Sequence, residues 1–445
     1  MKDIYKYLLL ISSLIFCCCV SAQVTVFNAN TDMKLLKKFQ NAKLGLFVHW
    51  MACHTPETGD SWAIGRGTTK KMADSITMNW YPEKFNAKEI VDIAVKAGCK
   101  YMVVISKHHD GFCIWPSKYS VFNVDRVSYN RDILKELSVE CKRKKMLFGI
   151  YYSIADIDYC GWSLMPSLGD KVPVPKYGKN DFISFVKNQT LELVENYKPD
   201  ILWFDGFWLD NLWGAKEGKE LYYTVKSKKK NTLLTRLSYV KGKDGKEQFL
   251  TDGSSGDYFS LEAKTVETPP YPWESCTSIT YPVYAYEPNA KLLSRKELIE
   301  TFNKTLCGNG NLLVNIGPKP DGSMPIEQVK RLYELSDWIY SNVDAVYKTN
   351  GGPFRPTQYI GSTYANNFIY LHLRDIPDKL QINTLDGYKL EEVKILSTGR
   401  VLDFDLNNNV YTIDISSLKR KSDIQVLALR LDKKYQFTDW LPLMR

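Results

Sequence analysis

The sequence predicts an α/β protein: an irregular (β/α)8-like TIM barrel followed by a C-terminal antiparallel β-sandwich. Three observations carry that reading. Between residues 44 and 342, short apolar runs alternate with longer segments of helical spacing. At Asn350-Gly351-Gly352-Pro353 a cluster of breakers ends this rhythm. Beyond it, short runs with two-residue alternation are separated by turn residues such as Asp386-Gly387 and Asn407-Asn408-Asn409.

The barrel elements follow in order. An apolar run at 44–50 opens it and carries His49 near its end. Helical spacing at 87–97 leads to a β-branched strand at 101–106, which ends on Lys107-His108-His109. An amphipathic helix at 132–144 precedes a strand at 146–152. A helix at 182–197 precedes the strand 201–205, entered through the breaker Pro199. Then come a helix at 221–229, a strand at 232–236, a helix at 295–307, a strand at 311–315 and a helix at 326–342. Six strands and six helices are legible and about seven strand–helix units are expected in all, so parallel strands with right-handed crossovers follow, with one degenerate turn in the barrel. The stretch 255–262 reads as loop. In the last segment, runs at 368–373, 390–396, 410–415 and 424–431 predict a small sandwich whose role is support or sugar contact. The expected division is 1–22 signal peptide, 23–349 barrel and 350–445 sandwich.

A chain of 445 residues is long enough for one large domain and a smaller one. Its net charge of +9 is spread out, apart from Lys226-Ser227-Lys228-Lys229-Lys230, and no nucleic-acid motif accompanies it, so a solvated surface is expected rather than a nucleic-acid partner. Two lysines, an apolar run at 7–20 and Val20-Ser21-Ala22 read as a secretory signal cut after Ala22, which predicts a secreted or periplasmic protein. Cys17, Cys18 and Cys19 offer a lipoprotein alternative, ranked second because Phe16 is bulky where such sites want a small residue. No later run is long and apolar enough to span a bilayer. The other cysteines (Cys53, Cys99, Cys113, Cys141, Cys160, Cys276 and Cys307) are odd in number, show no disulfide framework and mostly sit in apolar sequence, so buried free thiols are expected. Nothing marks an oligomeric state.

The candidate site starts from Pro199-Asp200-Ile201-Leu202-Trp203-Phe204-Asp205-Gly206. Side chains alternate along a strand, so Ile201, Trp203 and Asp205 share a face. An acid ending a buried strand is costly, and barrels place chemistry at the C-terminal strand ends. A helix N-cap or a structural salt bridge is the competing reading. The chain has five histidines, His49, His54, His108, His109 and His372, and three of them, His49, His108 and His109, fall at strand ends. That favours a shared pocket. Metal binding is the rival use. Adjacent His108 and His109 point apart if their strand continues, and no carboxylate lies at ligand spacing beside them, so no metal and no cofactor is expected. Neutral imidazoles, the phenols of 151–152 and the guanidinium of Arg236 around one mouth suit a sugar. Cleaving a glycoside needs a second carboxyl beside Asp205. Residue reading leaves Glu262, Glu267 and Glu274 open for that place, on a later loop.

Six motifs then stand together: Leu46-Phe47-Val48-His49-Trp50, Lys107-His108-His109-Asp110-Gly111-Phe112, Phe148-Gly149-Ile150-Tyr151-Tyr152-Ser153, Trp203-Phe204-Asp205-Gly206, Trp273-Glu274-Ser275-Cys276-Thr277-Ser278-Ile279 and Asn311-Leu312-Leu313-Val314-Asn315-Ile316-Gly317-Pro318. In order and spacing they resemble the α-L-fucosidases of glycoside hydrolase family 29, over about residues 33 to 350. The resemblance implies a retaining exo-glycosidase that removes terminal α-L-fucose from a fucosylated glycan without a metal. It implies Asp205 as nucleophile, Glu262 as acid/base in a Gly-Asp-Tyr-x-x-x-Glu stretch, and Glu274 as a supporting position. His49, Trp62, His108, His109, Tyr151, Trp203 and Arg236 would hold the sugar. The chain departs from the family pattern at Ser61, Leu261 and Tyr284-Ala285-Tyr286, which bears on the leaving group more than on the reaction. A glycosidase for another sugar, such as a galactoside, and a carbohydrate-binding protein without catalysis are the alternatives. If the mechanism holds, neighbours should lower the pKa of Asp205, and a drier setting or a nearby negative charge should raise that of Glu262.

Overall fold

The computed structural model describes residues 27–53, 68–160, 178–209, 211–238, 248–263, 268–377, 379–418 and 423–442. The expected signal segment, His54, Trp62 and Glu267 lie outside the described residues. Eight strands form one parallel sheet: β1 Leu44–Val48, β2 Tyr101–Lys107, β3 Leu147–Ser153, β4 Ile201–Asp205, β5 Leu233–Thr235, β6 Phe259–Glu262, β7 Trp273–Ser278 and β8 Asn311–Ile316. Their order is β5-β4-β3-β2-β1-β8-β7-β6, which is a nearly closed barrel. Thus 255–262 is not simply loop: its second half is β6, and Glu274 stands on β7 rather than on a loop. These strands carry polar residues such as Ser260 and Glu274 toward the barrel interior, where tertiary partners satisfy them, so no apolar run marks them in the sequence.

Strands β1 to β4 are buried throughout, because both of their faces are covered. Leu46, Val48, Met102 and Val104 turn outward onto the helices, while Phe47, Tyr101, Val103, Tyr151, Ile201 and Trp203 fill the barrel. The outer layer includes the helices Ala87–Lys96, Ile133–Arg143, Lys179–Tyr197, Ala215–Lys228, Arg295–Cys307 and Ile326–Ser341. Side-chain oxygens of Asn86, Asp132 and Ser294 cap three of them.

Asn350 opens the second region. A six-stranded antiparallel sheet, in the order β14-β13-β17-β11-β10-β9, faces a three-stranded one, β12-β16-β15. Here β9 is Asn350–Gly351, β10 Ile360–Ala365, β11 Phe368–Leu373, β12 Leu380–Asn383, β13 Leu390–Ile395, β14 Val401–Leu402, β15 Phe404–Asn407, β16 Val410–Ile413 and β17 Gln425–Leu431. Leu371, Leu429, Ile382 and Ile413 share the core between the two sheets, so this is a sandwich. Its other face meets the barrel. Tyr370, Val426 and Ala428 join the barrel's outer core, and Trp338 Nε1 donates to Ile424 O at 3.0 Å. His372 is buried at this junction, with Nδ1 2.8 Å from Asn303 Nδ2 and Nε2 3.0 Å from Thr363 Oγ1. The seven described cysteines are buried free thiols, as their apolar setting predicts.

Burial, aided by Arg374, pushes the His372 pKa down to about 3. The unfolded chain therefore takes up a proton on this residue first as pH falls. The stability that neutral His372 supplies is complete above its ordinary pKa of about 6.5 and is lost as pH falls from there toward 3. His372→Gln should melt lower than the native chain at neutral pH, and the gap should narrow toward pH ~4. A gap that stays constant in thermal melts over that range would show that this histidine is not buried in its neutral form.

Candidate active site

Asp205 ends β4 on the face already set by Ile201 and Trp203. The chain then turns at Gly206, whose φ of 68° lies in the left-handed region, and a Cβ there would meet Ala155 N at 2.5 Å. Glycine is thus required immediately after the acid. The carboxylate has a donor on each oxygen. Tyr151 Oη donates to Oδ2 at 2.8 Å, and Arg236 Nη2 donates to Oδ1 at 3.1 Å. Burial pushes the Asp205 pKa up, but Arg236, His109, Tyr151 and the Gly206 N–H together outweigh it and hold the carboxyl below its usual range. The lowering expected from the sequence is found.

Arg236 follows β5 and connects the two expected catalytic acids. The same Nη2 that binds Asp205 also donates to Glu262 Oε1 at 2.7 Å. The guanidinium lies 4.4 Å from the Trp203 ring centroid, and Nε reaches Phe204 O at 3.3 Å. Arg236 adopts a φ of 57°, uncommon for a residue with a side chain, and these contacts fix it in that conformation. Glu262 ends β6 with its side chain 46% exposed. The dry setting expected for it is absent. Arg236 favours its ionised form, whereas the nearby Asp205 anion opposes that.

The histidines converge. His49 follows β1 and its ring lies 5.0 Å from that of His108. His108 and His109 do not point apart: their ring centroids are 4.1 Å apart. The reason is local. The β2–β3 register slips between Ile105 and Lys107, and β2 stops at Lys107, so strand alternation does not govern the two histidines. His108 stacks on Tyr151 at 7° between planes, and burial, then its neighbours His109 and His49, holds its pKa well below the usual value. Ser153 Oγ donates to Ala155 O at 2.6 Å, so it accepts from His109 Nδ1 at 2.7 Å. Nε2 is then the nitrogen of His109 that faces Asp205 Oδ2, at 3.8 Å. Ligand atoms of His108, His109 and Asp205 lie within 4.8 Å of one another and could hold a cation, though Arg236 already places positive charge on Asp205.

Trp203 and Glu274 lie deeper. Glu274 is fully buried and its oxygens are taken by three donors: Tyr101 Oη at 2.6 Å, Ser260 Oγ at 2.7 Å and Trp203 Nε1 at 3.1 Å. Expected as a supporting position beside the sugar-holding residues, it is sealed from the surface and bonds Trp203, which lines the mouth. Burial, partly offset by these donors and Arg236, pushes its pKa up to about 7. Sequence reading noted Tyr284 only as a departure from the family pattern and missed Trp208; the Tyr284 ring lies 5.7 Å from that of His49, and the Trp208 ring 5.3 Å from that of His109. Both are aromatics near the motifs, and only their distances single them out.

The family model described as Alpha-L-fucosidase matches residues 21–344. The chain belongs to the α-L-fucosidase family. Plasma α-L-fucosidase of Homo sapiens is 29% identical over 338 residues, covering 70% of this chain and 69% of that protein. A Thermotoga maritima α-fucosidase structure aligns with a TM-score of 0.70 at 26% identity, covering 88% of this chain and 96% of that one. A glycoside hydrolase family 29 α-L-fucosidase from Bacteroides thetaiotaomicron, trapped as a covalent intermediate, shares the fold with a TM-score of 0.78 at 23% identity, over 91% and 97% of the two chains. The alignment with the fucosidase structures includes both the barrel and the sandwich.

Tyr151→Phe removes one donor from the Asp205 carboxylate. The Asp205 pKa should rise, so the acid limb of the kcat/KM pH profile should move to higher pH. A profile whose acid limb stays in place would mean that this hydrogen bond does not tune the group titrating there.

Proposed function

We propose that the chain is a retaining exo-α-L-fucosidase in which Asp205 is the nucleophile and Glu262 the acid/base. The observation that carries the reading is Arg236 Nη2, which holds one oxygen of each acid, at 3.1 and 2.7 Å. Two oxygens on one nitrogen are at most about 6 Å apart, which is compatible with the roughly 5 Å of a retaining pair. Asp205, held ionised, attacks the anomeric carbon, and Glu262 gives a proton to the departing oxygen. The Arg236–Glu262 contact favours an ionised acid, so it opens as the glycosidic oxygen enters. Glu262 then takes a proton from water, which releases fucose with retained configuration. The covalent intermediate of the Bacteroides relative supports this path.

His49, His108, His109, Tyr151 and Trp203 make the sugar-facing wall in this reading. Neutral imidazoles and a phenol hydrogen-bond hydroxyls, and the aromatic faces cover the apolar side of the ring. The apolar run at 7–20 supports export of the protein to the periplasm or beyond.

Azide separates the two roles. With an activated aryl α-L-fucoside, Glu262→Ala should lose turnover and recover it with azide, yielding the α-fucosyl azide of retained configuration. Asp205→Ala should be inactive, and any product formed with azide should have inverted configuration. Full activity in Asp205→Asn, or azide rescue by Glu274→Ala in place of Glu262→Ala, would overturn the assignment. Aryl galactosides in the same assay test the sugar.

A further inference from the structure

Arg236 directly follows β5 and Glu262 ends β6, the two edge strands of the barrel sheet. Among the described residues these strands share no ladder; one isolated bridge joins Thr235 of β5 to Gly256, three residues before β6. Asp257 closes this seam. Its backbone N–H donates to Leu234 O at 2.7 Å, and its Oδ2 accepts from Leu234 N at 2.8 Å. One residue thus occupies both backbone groups of Leu234, standing where a neighbouring strand would. Thr235 Oγ1 adds a bond to Tyr258 O at 2.8 Å. Gly256 permits the close approach: its φ is 92°, and a Cβ would lie 2.3 Å from Leu234 O.

The carboxylate of Asp257 is itself anchored from outside the seam. Oδ1 accepts from Thr31 Oγ1 at 2.6 Å and from Tyr222 Oη at 2.8 Å, while Lys226 Nζ lies 2.9 Å from Oδ2. Asp257 is fully buried, so these bonds are not exchanged for water. Leu234 lies two residues before Arg236, and Asp257 lies five residues before Glu262. Whatever fixes Leu234 to Asp257 therefore fixes the guanidinium relative to the acid/base.

We propose that Asp257 is a positioning residue for the acid/base: it sets the register of β6 against β5 and so places Glu262 across from Asp205. The inference rests on the reading of Glu262 given above. Loss of this register moves Glu262 more than Asp205, because β4 is laddered on both sides, to β3 through Asp205 itself and to β5 as far as Trp203, whereas β6 is laddered to β7 alone among the described residues. The defect is then one of leaving-group protonation. It should be severe for a poor leaving group and mild for an activated one.

The test compares kcat/KM, which reports the first chemical step, on an alkyl α-L-fucoside and on a dinitrophenyl α-L-fucoside. Glu262→Ala is the reference, and Asp257→Asn and Thr235→Val are the seam variants. A remote core truncation, Leu332→Ala, controls for general destabilisation, and thermal melts identify folded variants. Asp257→Asn should lower kcat/KM on the alkyl substrate by about tenfold or more relative to the aryl one, Thr235→Val should do so less, and Leu332→Ala should leave the ratio at the native value. In a Glu262→Ala background, Asp257→Asn should add nothing to that ratio. Equal losses on both substrates in the seam variants would overturn the inference and leave Asp257 as fold support alone. If Asp257→Asn does not fold, Thr235→Val decides by the same ratio. A Glu262→Ala ratio equal to native would instead defeat the acid/base assignment itself.

Discussion

A single guanidinium with two carboxylates on one of its nitrogens is the constraint around which the mouth of this barrel is arranged. Placing Asp205 and Glu262 close together would be unfavourable without a cation between them, because like charges raise each other's pKa. Arg236 removes that conflict. Burial would weaken it by favouring neutral forms, yet all three groups are ionisable partners in one network, and the arginine stays charged. The arginine is in turn fixed from below by the Trp203 ring and from the side by the Phe204 carbonyl. Its left-handed backbone is tolerated because so many contacts define it.

Beneath the mouth, the barrel is filled by aromatic rings instead of aliphatic chains alone. Phe47, Tyr151 and Trp203 lie within 6 Å of one another by ring centroid. Such rings cannot slip past each other as a methylene chain can, so they make a rigid floor. Glu274 completes this floor from β7. An isolated carboxyl in that place would be costly, and three donors plus a raised pKa offset the burial. The polar contacts at the mouth therefore extend two layers deep, from Glu274 through Trp203 to Arg236, Asp205 and Glu262.

Several parts of the site were legible in sequence for a physical reason. Asp205 ends a fully apolar strand, and His49 and His108 follow two others, so strand-end chemistry marks them out. The strands β6 and β7 were not legible as strands. Ser260 and Glu274 face inward among polar partners contributed by β2 and β4, and no local hydrophobic pattern encodes partners that lie far along the chain. The convergence of His108 and His109 was hidden for a similar reason: a slip in the β2–β3 register decides it, and register belongs to a pair of strands.

By itself the sequence determined the alternation of strand and helix, the change to a β-rich segment after Asn350, the acid at the end of β4 and the set of glutamates from which a partner could come. Those follow from hydrophobic period and from breakers, which act within a few residues of themselves. Only the tertiary structure decided which glutamate meets Arg236, that Glu274 is sealed inside the barrel, and that Asp257 closes the sheet between β5 and β6. Each of these is a contact between segments that are distant in sequence or set by strand register, and its energy depends on burial that no single segment can create alone.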